Sequence, residues 1–264
     1  MIRQVEVNPE LGERGIMDIY TPAGVEGPVS FIHGIHGGGW QNGDRKSYSY
    51  LWSRLAPLGI GLVLGTYRHA PEHVFPAAYE DVLGQWKWLY AHGAEYGLDC
   101  KRAGVFGSSA GGHLTMLLAT RGIKETSERP EIRAVVQMAG IMDLEKQYAW
   151  DQQRGSTMTE KFIGGTPEEL RSQYQAASPL FHVHENMPPI WMAHGSADPT
   201  VPFSQGLAML ERLKAANVDV IFHEARGLGH TLRETDVEGN VHEPLQLLFE
   251  ADLLRHYIRN LGVQ

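Results

Sequence analysis

The stretch GVFGSSAGGH, residues 104–113, joins an apolar run to a glycine-rich segment that favours a helix. It contains Gly107-Ser108-Ser109-Ala110-Gly111, the pattern G-x-S-x-G, which places a serine on a tight turn between a strand and a helix. The backbone of such a turn is strained, so the residues two positions away must be small. Gly and Ser are also common at ordinary helix N-termini. The motif alone therefore leaves two interpretations open.

The rest of the chain alternates between strand and helix patterns. Apolar runs typical of buried strands cover residues 28–33, 59–67, 102–107, 132–140, 188–195 and 218–225, and helical patterns cover 79–97, 110–122, 203–218 and 243–261. Residues RQVEV and GIMDIYTP predict a hairpin at the sheet edge. This rhythm is typical of βαβ units, so the sequence predicts an α/β fold with a mostly parallel central sheet and helices on both faces.

One segment interrupts this rhythm. Residues 143–186 are polar and irregular, with a short helix predicted to begin at Pro167. Because such a length is unusual for a loop without structure or function of its own, we interpret it as a small lid-like insertion. We thus expect one domain over residues 1–264, with the insertion at about 143–186.

Composition excludes several classes of partner. The 264 residues carry a formal net charge of −8, and Lys and Arg cluster in nothing longer than pairs, which disfavours nucleic acid and membrane surfaces. One cysteine, Cys100, allows no intrachain disulfide. No apolar run has the length of a membrane span, and the N-terminus has no leader-like apolar region. We therefore expect a cytoplasmic protein.

Two further strand ends carry the partners that a nucleophilic serine needs. A serine reacts only when a base takes its proton and an acid orients that base. Asp198 follows the apolar run in MAHGSADPTVP, and His230 follows the next one in EARGLGH. The order Ser109, Asp198, His230 is that of hydrolases with a strand-to-helix nucleophile turn. Asp143 also ends a strand, but its place before the insertion favours a structural role.

A second glycine-rich loop, FIHGIHGGGWQNGD at residues 31–44, contains two His-Gly pairs. The oxyanion of acyl transfer needs backbone N–H donors, one from the residue after the nucleophile, Ala110, and others from an earlier loop. Glycines let that loop approach the substrate. We interpret His36-Gly37 as the functional pair and His33-Gly34 as an extension of the strand. A side chain at Gly38 is expected to enter the path of the substrate.

Together, HGGGW, YRHAPEHVFPAAYEDV, GSSAGG, HGSADPTVP and GLGH resemble the esterase/lipase family of the α/β-hydrolase fold. The sequence is most similar to the hormone-sensitive-lipase-like carboxylesterases and to the short carbohydrate esterases that include feruloyl and acetylxylan esterases. Because the HGGGW motif begins at His36, we expect no helical cap of the kind found in the former group, which favours the latter.

The resemblance implies a role for each motif. Ser109 would be the nucleophile, His230 the general base and acid, and Asp198 the orienting acid. The oxyanion donors would be the N–H groups of Ala110 and Gly38 with that of Gly37 or Gly39, of which we select Gly39. The family motifs also imply residues that brace the loops, namely His36, Tyr67, Arg68 and Asp81.

These inferences predict a serine carboxylic ester hydrolase acting on small or carbohydrate-linked acyl esters through an acyl-enzyme. An arylformamidase is the alternative, because the H-G-G-x-W form also occurs in kynurenine formamidases. A non-catalytic receptor on the same fold would typically lack a triad member. We expect no cofactor and no metal, since the spacing of His182 and His184 has no supporting cysteine or carboxylate pattern. The expected partner is a small-molecule or saccharide ester, with a homodimer left open.

Aromatic residues around these motifs allow two interpretations. They could line the substrate pocket, or they could pack the insertion onto the sheet; they are Trp40, Tyr148, Trp150 and Phe162. We assign substrate binding to Trp40 and Trp150.

Overall fold

The computed structural model describes residues 1–125, 127, 130–232, 234–235 and 241–263, with 234–235 and 241–249 described by their backbone. Within these ranges eight strands form one sheet: β1 (Ile2–Glu6), β2 (Ile16–Tyr20), β3 (Val29–Ile35), β4 (Gly61–Gly65), β5 (Leu98–Ser108), β6 (Ile132–Met138), β7 (Ile190–Gly195) and β8 (Val220–Ala225). A separate two-stranded ribbon pairs β9 (Glu234–Thr235) with β10 (Val241–His242).

The sheet is mostly parallel, as the alternating pattern predicts. Its strand order is β1-β2-β4-β3-β5-β6-β7-β8. The pairs β1–β2 and β2–β4 are antiparallel, and the strands from β4 through β8 pair in parallel. The predicted edge hairpin is thus confirmed. His33 and Gly34 lie inside β3, in register with Val105 and Phe106 of β5, so the first His-Gly pair is strand.

Helices cover both faces of this sheet. They are α1 (Trp52–Leu55), α2 (Ala77–His92), α3 (Ala110–Leu117), α4 (Ile123–Glu125), α5 (Leu144–Gln153), α6 (Met158–Ile163), α7 (Pro167–Ala177), α8 (Ser204–Ala215) and α9 (Glu243–Leu261). A π turn over Leu118–Gly122 connects α3 to α4, and 3₁₀ turns cover Pro9–Gly15, Arg45–Leu51, Ala56–Leu58, Gly93–Tyr96 and Pro179–His182.

Alternation along the strands divides the core into two layers. Successive strand residues point to opposite faces. Phe31 and Val105 therefore pack with residues of α2, α3 and α8, whereas Ile32 and Phe106 pack with residues of α1 and α9. Burial on both sides explains why the central strands read as nearly continuous apolar runs.

The insertion predicted at 143–186 contains α5, α6, α7 and the 3₁₀ turn at Pro179–His182, between β6 and β7. Asp143 caps α5, accepting the N–H of Lys146 at 3.2 Å. The Gln205 side chain of α8 holds the start of the insertion by accepting the N–H groups of Met142 and Asp143 at 3.0 and 2.8 Å. The predicted helix at Pro167 begins with a capping box formed by Thr166 and Glu169.

Within the described ranges, none of the helices combines the length and apolar composition that crossing a bilayer requires.

Candidate active site

Ser109 occupies a strained turn between β5 and α3. Its φ and ψ are 57° and −126°, outside the regions that non-glycine residues normally adopt. Its N–H donates to the carbonyl of Met138 at 2.9 Å, and its carbonyl accepts the N–H of His113 at 2.9 Å. A Cβ on Gly107 would collide with the Gly111 carbonyl, and a Cβ on Gly111 with the Ile35 carbonyl. The two glycines of the motif are therefore sterically required.

Asp198 and His230 meet beyond the ends of β7 and β8. The Nδ1–H of His230 donates to Oδ2 of Asp198 at 2.7 Å. The other carboxylate oxygen accepts the N–H groups of Thr200 and Val201 at 2.8 and 2.9 Å. The Asp198 side chain is fully buried, while that of His230 is 23 % exposed. The carboxylate is thus fixed, and the imidazole keeps access to the surface.

A second histidine contacts the same carboxylate. Nε2 of His194, a buried residue of β7, lies 3.0 Å from the Val201 carbonyl and 3.4 Å from Oδ2 of Asp198. Burial by itself raises the pKa of Asp198, but the hydrogen bonds from His194 and His230 outweigh it and hold that pKa well below its usual range. Asp198 is therefore an anion at neutral pH. Sequence reasoning missed His194, although it precedes Asp198 by four residues.

The HGGGW loop bends directly after β3 and lies against the turn at Ser109. Gly38 and Gly39 have φ values of 111° and 59°, and the Gly38 carbonyl accepts the N–H groups of Gln41 and Asn42 at 3.1 and 3.0 Å. A Cβ on Gly37 would lie 3.3 Å from the Cβ of Ser109. Among the described residues, the N–H groups of Gly38, Gly39 and Ala110 have no acceptor. These three N–H groups, in the loop and at the start of α3, are free of backbone partners within the described residues.

The structure corrects the expectation for a side chain at Gly38. A Cβ there would collide with the backbone carbonyl of Asn42, across the loop's own turn. Since φ is also 111°, a substitution would distort the loop before it reached any substrate. Gly38 is needed for the turn that holds the loop in shape.

His36 and Tyr67 support this loop from below, as the resemblance implied. Nδ1–H of His36 donates to the Gly37 carbonyl at 2.7 Å, and Nε2 accepts the Thr66 hydroxyl at 2.8 Å. Tyr67 stacks on the ring at 4.4 Å and donates its hydroxyl to the His36 carbonyl at 2.9 Å. Burial lowers the pKa of His36 to about 4, so the imidazole is neutral and keeps this single tautomer.

Arg68 and Asp81 form the next brace. The Arg68 backbone N–H and its Nη2 both reach the Asp81 carboxylate, at 2.7 and 2.8 Å, which fastens the loop after β4 to α2. The predicted bracing contacts of all four residues are present.

Trp40 is fully buried and stacks on Phe162 of α6, with ring centroids 4.1 Å apart. For these two residues the packing alternative describes the structure, and the expectation that Trp40 lines the substrate pocket does not match its complete burial.

Trp150 is half-buried, and its Nε1–H donates to the Pro199 carbonyl beside Asp198 at 3.2 Å. Tyr148 is half-buried against Tyr174. Substrate contact by Trp150 remains a prediction.

Two more residues near Ser109 were missed by sequence reasoning. His113, one helical turn after Ser109, accepts the Nε1–H of Trp40 at 3.1 Å and donates Nε2–H to the Ala177 carbonyl at 2.7 Å. Burial raises the pKa of Tyr48 to about 12, opposed by hydrogen bonds with Ser108 and the Gly37 backbone. The spacing from Ser109 to His113 was a usable signal, whereas Tyr48 is brought close only by the fold.

The histidines with metal-like spacing contact carbonyls. Nε2 of His182 lies 3.0 Å from the Ala176 carbonyl, and Nε2 of His184 lies 3.2 Å from that of Thr120. In the part of the chain that the structure describes, no group of three His, Cys, Asp or Glu side chains could hold a metal ion.

The chain is similar in sequence to known proteins. A protein-family profile described as BD-FAE matches residues 17–213. The chain is 30% identical over 217 residues to a probable carboxylic ester hydrolase, LipM, and 32% identical over 213 residues to the esterase LipC, both from Mycobacterium tuberculosis. These alignments cover 78% and 77% of this chain but 50% and 53% of the relatives, so the chain spans about half of their length.

Solved structures show the same fold. A truncated form of a carbohydrate esterase from gut microbiota superposes with a TM-score of 0.80 and 21% sequence identity, covering 98% of this chain and 95% of that one. Together with the eight-stranded sheet of the described residues, this likeness confirms the α/β-hydrolase fold.

Proposed function

We propose that this chain, which belongs to the BD-FAE family, is a serine carboxylic ester hydrolase. The observation that carries the proposal is the 2.7 Å hydrogen bond between His230 and Asp198 at the edge of the sheet where Ser109 occupies its strained turn. A buried carboxylate that fixes one imidazole nitrogen leaves the other, Nε2, free to act as a base. The relatives named as esterases support the same activity.

The proposed reaction proceeds in two halves. Nε2 of His230 removes the Ser109 hydroxyl proton while Oγ forms a bond to the ester carbonyl carbon. The carbonyl oxygen becomes an oxyanion, which the N–H groups of Gly38, Gly39 and Ala110 stabilise. The bond to the alcohol oxygen then breaks, and His230 returns its proton to that oxygen. Water then attacks the acyl carbon while His230 takes its proton. The bond from that carbon to Oγ of Ser109 breaks, His230 returns the proton to Oγ, and the acid is released.

Two features support small or saccharide-linked esters as the substrate class. The α5–α7 insertion consists of three helices, and Trp150 at its margin is only half-buried beside the Asp198 turn, which supports a site that takes the alcohol at this margin. We assign the insertion the role of a small lid. The contacts of Phe162 with Trp40 and of Trp150 with the Pro199 carbonyl support this role.

The test compares ester and formamide cleavage directly. Wild type, Ser109→Ala and the exposed-serine control Ser172→Ala are assayed with p-nitrophenyl acetate and with N-formylkynurenine. We expect ester hydrolysis by wild type and by Ser172→Ala, and a loss of several orders of magnitude in Ser109→Ala. Faster cleavage of the formamide would favour the arylformamidase alternative, and a Ser109→Ala protein with wild-type turnover would refute the nucleophile assignment.

A further inference from the structure

A cavity of about 400 Å³ lies between the sheet and the helices α1 and α9. This volume is within the range of small-molecule sites, ~300–1,000 Å³. Its walls are mostly apolar, and the side chains that define them are Tyr48, Phe106, Met138, Leu232, Leu253 and Leu254.

The cavity reaches the candidate active site at two points. Ser108, which precedes the nucleophile, and Thr231, which follows His230, both line it. Tyr48 continues the wall toward the oxyanion loop, because its ring packs on Phe106 with centroids 4.7 Å apart and its hydroxyl bonds with Ser108 and the Gly37 backbone. The cavity therefore lies directly beside the residues next to the candidate nucleophile and the candidate base.

The charges around the cavity are already paired. Arg54 and Glu250 are charged residues of its described lining, and Nε of Arg54 lies 2.5 Å from Oε1 of Glu250. Because these two side chains pair with each other, the described part of the lining offers no unpaired charge to an ionised substrate group. An uncharged apolar group gains most from such a lining, through removal of its surface from water.

The position of the cavity indicates which half of an ester, the acyl group or the alcohol, it would hold. The alcohol departs after the first half-reaction, whereas the acyl group stays bonded to Ser109 until water attacks. On the side of Asp198 the site is bounded by the half-buried Trp150, to which we assign the leaving alcohol. The cavity is walled by the sheet and two helices, which suits the group that remains.

We propose that this cavity is the acyl pocket of the enzyme and that it accepts apolar acyl groups of medium length. The proposal rests on the proposed ester hydrolysis and adds its acyl specificity. Leu254, half-buried on α9, is one of its apolar lining residues and is the position at which we test the pocket.

The test fills or enlarges the pocket at this position. Leu254→Trp should fill it and Leu254→Ala should deepen it, while Ile258→Trp, one turn further along α9 and outside the lining, is the matched control. Each variant is assayed with p-nitrophenyl acetate, butanoate, hexanoate and octanoate. We expect Leu254→Trp to lower kcat/KM for the octanoate about 10- to 100-fold and for the acetate less than about threefold. Leu254→Ala should shift the preference toward longer acyl chains, and Ile258→Trp should keep the wild-type profile.

A second series separates the acyl group from the alcohol. Acetate esters of methanol, butanol, hexanol and octanol should lose equally little rate in Leu254→Trp. If the long alcohols lose rate and the long acyl chains do not, the cavity holds the alcohol and our assignment is wrong. If neither series responds, the cavity takes no part of the substrate.

Binding without turnover distinguishes failure of the pocket from failure of the proposed function. Octanoate and acetate are titrated calorimetrically into Ser109→Ala and into Ser109→Ala carrying Leu254→Trp. We expect octanoate to bind the first protein more tightly than acetate and to lose that advantage in the second. Equal octanoate affinity in both would overturn the pocket whatever the activity, whereas a wild type inactive on every ester would overturn only the proposed reaction.

Discussion

The indole Nε1–H of Trp40 donates a 3.1 Å hydrogen bond to Nδ1 of His113, joining the HGGGW loop, to which we assign the oxyanion donors, to the helix α3 that follows Ser109. The opposite nitrogen of the same imidazole donates to the Ala177 carbonyl at the end of α7, at 2.7 Å. One fully buried ring therefore fixes the oxyanion loop, the nucleophile helix and the insertion relative to each other.

Removing this imidazole should loosen the oxyanion loop. His113→Leu leaves the Trp40 N–H and the Ala177 carbonyl buried without partners, at a cost of about 1–3 kcal/mol for each. We expect a lower Tm and a kcat reduced about tenfold or more, with KM changed less, because the donors act mainly in the transition state. His113→Gln can accept from Trp40 and donate to Ala177, so it should restore most of the loss. Equal kcat in wild type and His113→Leu would contradict this positioning role.

His113 should also make stability depend on pH. Burial lowers its pKa to about 4, opposed by the hydrogen bond to Ala177, whereas the unfolded chain has an ordinary value of about 6.5. Between these values the unfolded state binds more protons, so stability is complete above pH 6.5 and falls as the pH falls toward 4. The contribution is up to about 1.4 kcal/mol per pH unit.

Urea unfolding of wild type and His113→Gln at pH 7.5, 6.0 and 5.0 measures this contribution. Gln does not titrate, so the variant should lose less stability on acidification, although His33 and His36, whose pKa values burial also lowers to about 4, continue to contribute. Parallel pH dependences would show that His113 does not titrate in this window.

The acid of the triad is tested by an isosteric substitution. Asp198→Asn keeps an oxygen for the Thr200 and Val201 N–H groups but presents an amide to His230, which favours the wrong imidazole tautomer. In serine proteases the corresponding change lowers kcat roughly 10⁴-fold, and we expect a loss of about 10³–10⁴ in p-nitrophenyl acetate hydrolysis.

The control for this substitution is the other strand-end carboxylate. Asp143→Asn retains an N-cap side chain for α5 and should leave kcat near the wild-type value, because Asp143 caps a helix. If kcat falls further in Asp143→Asn than in Asp198→Asn, then Asp143, and not Asp198, is the acid that orients His230.

Local pattern predicted the sheet and the reactive turns because both depend on residues close in sequence. Strands β3, β4 and β7 are buried along their whole length, which makes each an apolar run. The turn at Ser109 requires a glycine at 107, because a Cβ there would collide with the carbonyl of Gly111. These requirements are visible without knowledge of the rest of the fold.

The contacts of the aromatic residues join positions far apart in the chain, and no local sequence pattern indicates them. Trp40 meets Phe162 across 122 positions and His113 across 73, and nothing in the aromatic residue itself distinguishes a packed ring from a pocket wall. Tyr48 lies in the 3₁₀ turn Arg45–Leu51, 60 positions before Ser108, and only the fold brings the two residues together. The acyl-pocket assignment therefore required the structure.

The final prediction compares the glycines of the two His-Gly motifs, because an added Cβ would contact backbone at Gly38 and a side chain at Gly34. Gly38→Ala places a Cβ against the Asn42 carbonyl at a φ of 111°, which should displace the oxyanion loop and lower kcat about 10²–10³-fold. Gly34→Ala lies in β3, where its Cβ would come within 2.7 Å of Cδ2 of Leu64, a flexible side-chain end. It should lower the free energy of unfolding by about 1–3 kcal/mol and leave kcat near wild type in the folded protein.

Urea unfolding and initial rates with p-nitrophenyl acetate measure the two effects separately. If Gly34→Ala abolishes turnover in a folded protein while Gly38→Ala does not, the oxyanion donors belong to the first His-Gly pair.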